Sequence, residues 1–117
     1  MMTIIRLDPQ DRWSEAVIHN NVIYYTSVPS NLVNDAYEQT KSALAEIDKI
    51  LARANSDKTR ILDATLFLVN KSDFAAMNKA WDEWVAHGDA PVRCTVHTGL
   101  MKNEYLVEIK IVAAVSV

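Results

Sequence analysis

The sequence predicts a mixed fold, α+β or α/β, in which two helices pack on one sheet. Three observations carry this. Apolar residues recur at spacings of three and four in two long segments. Six shorter segments, several of them rich in β-branched residues, read as strands. The two kinds are interleaved in the order β-β-β-α-β-α-β-β, within 117 residues, the usual size of one domain. Residues 1–117 are therefore read as a single domain.

Met2–Leu7 reads as a short strand. Ala16–Ile18 and Val22–Thr26 flank His19-Asn20-Asn21, and asparagine tolerates the positive φ of a tight turn, so this pair reads as a β-hairpin. Pro29, Ser30, Asn31 and Asn34 break the pattern. Asp35–Ala54 is the first helix, with Tyr37, Thr40, Leu44, Ile47, Leu51 and Ala54 on one face. Asn34 or Asp35 can cap its first turn, Glu38 stands where a capping partner of Asp35 belongs, and Asn55-Ser56-Asp57 ends it. Ile61–Val69 is a strand. The second helix spans Asp73 to His87, with a stripe of Phe74, Met77, Trp81, Trp84 and Val85, a cap at Ser72 or Asp73, and a stop at Gly88. Val92–Thr98 and Tyr105–Val115 complete the strands.

Two strands are apolar on both faces. Leu62, Ala64, Leu66 and Leu68 oppose Ile61, Phe67 and Val69; Tyr105, Val107, Ile109, Ile111 and Ala113 oppose Leu106, Val112 and Ala114. Such strands are normally covered on both sides, and two helices cover one. A partner subunit is the expected cover; the alternative is a sheet that curls and leaves scattered apolar residues in water.

Composition narrows the function. No apolar run approaches the roughly 20 residues of a membrane span, and the first residues lack the basic-then-apolar pattern of a signal peptide. The single cysteine, Cys94, leaves no internal disulfide, which suits a reducing cytoplasm. Net charge is −3, with no Lys/Arg cluster longer than a pair, so no nucleic-acid partner is expected. With only Gly88 and Gly99, a P-loop and a dinucleotide fingerprint are excluded. His19, His87 and His97 share no metal-ligand spacing, so neither a metal nor a cofactor is expected.

Strand alternation groups Arg93, Thr95 and His97 on one face, and sends Val92, Cys94 and Val96 toward the core. A strand-borne guanidinium is suited to bidentate grip on a carboxylate; the ordinary alternative is an ion pair with a neighbouring acid. Glu108 sits between Val107 and Ile109, so it is at an edge, paired, or working as an acid-base group; a cross-strand pair with Lys110 or another lysine is the bland account. Cys94 and His97 face opposite sides and make no thiolate–imidazole pair, and Cys94 reads as a small buried hydrophobe. Asn78 interrupts the stripe of the second helix and can support a nearby loop, whereas Trp81 and Trp84 read as core aromatics.

Ala90-Pro91-Val92-Arg93-Cys94-Thr95, followed by Tyr105-Leu106-Val107-Glu108-Ile109-Lys110-Ile111-Val112-Ala113, resembles the C-terminal signature of the Rid family, once called YjgF. Ser72–Trp81 resembles the family's "DFxxxN" helix start, Ile61–Leu68 its central strand, and Asn21–Pro29 its "SGQIP" strand end. The likeness spans nearly the whole chain. It implies a chorismate-mutase-like α+β fold assembled as a homotrimeric barrel with clefts between subunits. It also implies hydrolysis of reactive 2-imino acids to 2-oxo acids and ammonia, with Arg93 holding the carboxylate and Glu108 placing water. On the same resemblance Trp13, Thr26, Ser27, Asn78 and Thr95 join Arg93 in binding the substrate. This sequence departs from the family at Ser27, where a glycine is usual, at Thr95, where a cysteine is usual, and in a Thr26–Pro29 segment one residue short. A non-catalytic module that binds a small carboxylate is the alternative function.

Overall fold

Asn20 and Asn21 take φ of 55° and 63°, the left-handed conformation a two-residue hairpin turn demands. In the computed structural model, which describes residues 3–116, this turn joins β2 (Ser14–His19) to β3 (Val22–Ser27), with His19 opposite Val22. β1 (Ile5–Pro9) lies antiparallel on β2. It starts and ends later than the Met2–Leu7 expected, and Met2 lies outside the described residues.

α1 (Ala36–Arg53) is capped by Asp35, whose carboxylate accepts the Glu38 amide at 2.9 Å. It ends at Asn55, with φ 55°, while Ser56 and Asn55 amides donate to the carbonyls of Leu51 and Ala52. This crossed pair of bonds satisfies two terminal carbonyls and explains why Asn55-Ser56 stops the helix. Thr40, Leu44, Ile47 and Leu51 are buried as their spacing requires, joined by Gln39, Ala43 and Ile50.

β4 (Ile61–Leu68) crosses through α2 (Phe74–Trp84) to β5 (Val92–His97), which lies parallel to it. β6 (Val107–Ala114) then inserts antiparallel between β3 and β4, giving the order β1-β2-β3-β6-β4-β5. The chain is thus α+β, a six-stranded sheet with two helices. α2 is shorter than its stripe suggests: Val85 leaves the helix with ψ 144°, and Gly88 (φ 93°) serves the turn beyond rather than the helix end.

Both helices pack on one face. Ala16, Ile18, Ile23, Tyr25, Ala64, Leu66, Leu68, Val107, Ile109, Ile111 and Ala113 meet the α1 residues and Met77, Ala80 and Trp81 of α2 in one core. Gln39, fully buried, ties this layer to the loop before β6: its amide nitrogen donates to the carbonyls of Val33 (3.0 Å) and Glu104 (2.8 Å), and its oxygen accepts the Leu106 amide at 2.8 Å.

Among the described residues, no helix covers the other face. There Phe67 and Val112 are half-buried, while Tyr24, Leu62, Val92 and Val96 stand exposed. Two sequence expectations are corrected here. Leu62 is 50% exposed instead of sharing the core with Ala64, because a bulge between Ile61 and Asp63 shifts the alternation and turns Ile61 inward. Val92, Cys94 and Val96 are not core residues either. They pair with Asp63, Thr65 and Phe67 on the open face, and Val92 is 74% exposed. Cys94 is an exposed free thiol.

Candidate functional site

β5 is one of the two edge strands, and its register decides which way Arg93 points. Arg93 pairs with Ala64, Thr95 with Leu66 and His97 with Leu68, all buried on the helix-covered face. So Arg93, Thr95 and His97 share a face, as their alternation requires, and that face is the one with α2. The Arg93 guanidinium carbon stacks 5.2 Å from the ring centroid of Trp81, and its Nη2 donates to Thr95 Oγ1 at 3.3 Å. Trp81 is in turn tilted against Trp84, centroids 5.5 Å apart. The ring orients the planar cation without taking up its donors, so the guanidinium stays available for a planar acceptor.

These side chains open into a groove of about 550 Å³, lined by Leu68, Lys71, Phe74, Arg93, Cys94, Thr95 and His97. His97 Nε2 lies 3.1 Å from the Val69 carbonyl. A carbonyl only accepts, so Nε2 carries a proton and the ring is fixed along the wall. Among the described residues, Arg93 and Lys71 form no ion pair, and no carboxylate lines the groove. The ordinary ion-pair account of Arg93 is therefore not what the fold builds.

The remaining expected site residues lie elsewhere. Trp13, 63% exposed, shares a second hollow of about 250 Å³ with Glu15, Tyr24, Thr26 and Lys110. Thr26 pairs with Lys110 on the open face. Ser27 faces the other way and is fully buried; its hydroxyl donates to the Ala43 carbonyl at 2.7 Å, which locks β3 to α1. Asn78 sits half-buried on α2 outside the groove lining.

Glu108 pairs with Phe67, and so stands on the open face, two strands from Arg93 and on the opposite side of the sheet. The two residues do not meet within one chain. Glu108 is neither at an edge nor in an ion pair among the described residues. Burial pushes its carboxyl above the usual range, with the Lys110 charge partly opposing. Its strand neighbours Val107 and Ile109 are in the core, so its backbone is rigidly held.

Sequence reasoning missed Lys71 and Phe74 as groove walls and Trp81 as the platform under Arg93. Spacing carried no signal for them, because the crossover from β4 through α2 brings them to β5. Among the described residues no group of three or more His, Cys, Asp or Glu could hold a metal ion, and no helix is long and apolar enough to cross a membrane.

Known proteins share this architecture. The family model described as endoribonuclease L-PSP matches residues 3–115. The RutC family protein YoaB of Escherichia coli strain K12 is 64% identical over 114 residues, covering 97% of this chain and 100% of its own length. A RutC family protein of Haemophilus ducreyi is 46% identical over 114 residues, 97% of each chain. The crystal structure of a YjgF family member from Neisseria meningitidis superposes with a TM-score of 0.94 at 43% identity, over 99% of this chain and 98% of that one.

Proposed function

The chain belongs to the endoribonuclease L-PSP family, which takes in the RutC and YjgF proteins, and from that premise we propose that it is a Rid-type imine deaminase acting on small 2-imino acids. The observation that carries this reading is the Arg93 guanidinium, stacked on Trp81, bonded to Thr95 and free of any acid partner in an open groove. Such a group binds a carboxylate by charge-assisted, bidentate hydrogen bonds. Water attacks the imine carbon held beside it, the carbon–nitrogen bond breaks, and ammonia and a 2-oxo acid leave. Imines hydrolyse readily, so general acid-base help of about 10²–10⁴-fold suffices.

The water is assigned to Glu108, whose carboxyl is pushed by burial above its ordinary range, the direction that favours a group able to take and return a proton. Since Glu108 faces away from Arg93, this role needs a second copy of the chain. The uncovered sheet face and the two ends of the sheet support such an assembly. β5 with Arg93 is at one end, β1 to β3 with Trp13 and Thr26 at the other. Copies arranged head to tail in a closed ring, a homotrimer, bring one end against the other and bury the apolar open face. Trp13, Thr26 and Glu108 then complete the cleft from a neighbouring copy.

The separation of Arg93 and Glu108 also favours a second reading, a binding module for a small 2-oxo acid without turnover. The test is ammonia and 2-oxo-acid release from an imine generated in situ by an amino-acid oxidase. Deamination above the no-protein rate, lost in Arg93→Ala and in Glu108→Gln, supports the enzyme. A wild-type rate equal to the no-protein rate, with 2-oxo-acid binding retained, supports the module. Ribonuclease activity has no support in the net charge of −3; salt-sensitive RNA affinity would be the contrary observation.

A further inference from the structure

The last turn of α2 is closed weakly by its own backbone. Val85 leaves it with ψ 144°, no left-handed residue follows directly, and the turn holds no basic residue. The Val85 amide donates to the Trp81 carbonyl at 2.8 Å, and His87 Nε2 lies 3.0 Å from the Asp82 carbonyl. Both bonds go to backbone and leave the side chain of Trp84, the last helical residue, to be fixed by something else. Asp48 of α1 does this: Trp84 Nε1 donates to its Oδ2 at 2.9 Å. Lys58 Nζ also lies 5.4 Å from the Trp84 ring centroid. Trp84 is tilted by 54° on Trp81, centroids 5.5 Å apart, and Trp81 is the surface under Arg93.

A run of four contacting side chains, Asp48, Trp84, Trp81 and Arg93, therefore leads from an exposed carboxylate on α1 to the groove. The two helices already meet through Leu44, Ile47, Met77 and Ala80 in the core, so holding them together does not require this outer bond. We propose that Asp48 is a positioning residue: by fixing Trp84 it fixes the Trp81 ring against which the Arg93 guanidinium is oriented. This rests on the reading of Arg93 as a carboxylate grip and adds what keeps the grip aimed. A bidentate pair depends on the angle of the guanidinium plane, so a platform free to turn weakens it.

The test is calorimetric titration of the whole protein with 2-oxobutanoate, beside circular dichroism without ligand. Asp48→Ala is expected to bind about 3-fold more weakly, the scale of one modest hydrogen bond. Its lost negative charge would by itself favour an anion, so general electrostatics predicts the opposite sign. Asp82→Ala removes an equal, exposed charge from α2 and keeps wild-type affinity. Asp48→Asn keeps an acceptor oxygen for the indole and restores binding. In a Trp81→Leu background, adding Asp48→Ala changes nothing further. Two indoles as close as Trp81 and Trp84 couple electronically and give a paired positive and negative band; that couplet should shrink in Asp48→Ala and persist in Asp48→Asn. An intact couplet or unchanged affinity in Asp48→Ala, or an equal loss in the Trp81→Leu background, overturns the positioning role, while binding that is lost in Arg93→Ala keeps the grip. If the wild type does not bind the probe, the grip and the positioning role fall together.

Discussion

Arg93 and Trp81 form the stack on which the groove is organised, with the guanidinium carbon 5.2 Å from the ring centroid. The strand supplies the cation and the helix supplies the surface that orients it. A stacked guanidinium of this kind gains about 0.5–2 kcal/mol. Trp81→Leu is therefore expected to weaken 2-oxo-acid binding about 2- to 30-fold, and Trp81→Phe to keep part of that affinity. Calorimetric titration of folded samples, checked by circular dichroism, measures the series. Unchanged affinity in Trp81→Leu would show that Thr95 alone orients Arg93.

Glu108 predicts a pH dependence of stability. Burial raises its pKa in the folded chain, so over the window between the ordinary and the raised value the folded state holds more protons than the unfolded one. The stability it contributes is present below the ordinary carboxylate range and is lost as pH rises through the raised value. Glu108→Gln removes this dependence. Its Tm should exceed that of wild type near neutrality, and the gap should close as pH falls to about 4. Thermal melts across that range decide it; a lower Tm for Glu108→Gln at neutral pH would mean that the carboxylate is held by a favourable partner.

Ser27 separates structure from binding. Its buried hydroxyl bonds the Ala43 carbonyl on α1, away from both hollows. Ser27→Ala should cost about 1 kcal/mol in stability and leave 2-oxo-acid affinity within experimental error. Denaturant unfolding and titration on one preparation report both. A large loss of affinity would place Ser27 in the cleft after all.

Gln39→Leu deletes a buried amide that serves three backbone groups of two loops. Leaving the Leu106 amide and the Glu104 carbonyl unpaired should cost about 3 kcal/mol, at 1–3 kcal/mol for each unsatisfied group. Hydrogen exchange should speed up at Leu106 before it changes in the central strands. Uniform loss of protection across the sheet would show that the loop and core open together.

The local features of this fold are written in local sequence. Asn20-Asn21 specify a hairpin, Asp35 caps α1, Asn55-Ser56 closes it, and the alternation of Arg93, Thr95 and His97 puts them on one face. What alternation cannot reveal is which face the helices cover. That depends on the pairing of β5 with β4, a long-range choice, and for this reason Val92, Cys94 and Val96 read as core yet lie in the open. The Ile61/Asp63 bulge hides in the same way, since one unpaired residue reverses parity without changing composition. In the candidate site, Arg93 and Thr95 were legible and do come together. Glu108 was legible as an unusual acid, but its side of the sheet was not. Lys71 and Phe74 could be assigned to the groove only once the crossover was known.

The place of β6 has a consequence for biosynthesis. Through residue 106 the nascent chain can form two ladders, β1-β2-β3 and β4-β5, with no strand pairing between them; only the packing of the helices spans the two. The strand that joins them, Val107–Ala114, is the one translated after all the others described, and it pairs with β3 on one side and β4 on the other. At about 5–20 residues per second, the inner edges of β3 and β4 stay unpaired for seconds while the intervening segment is made. Exposed strand edges of this kind recruit foreign strands. Completion of the sheet is thus a late event set by translation of one segment, and the interval before it is when the chain is most open to mispairing with its neighbours on a polysome.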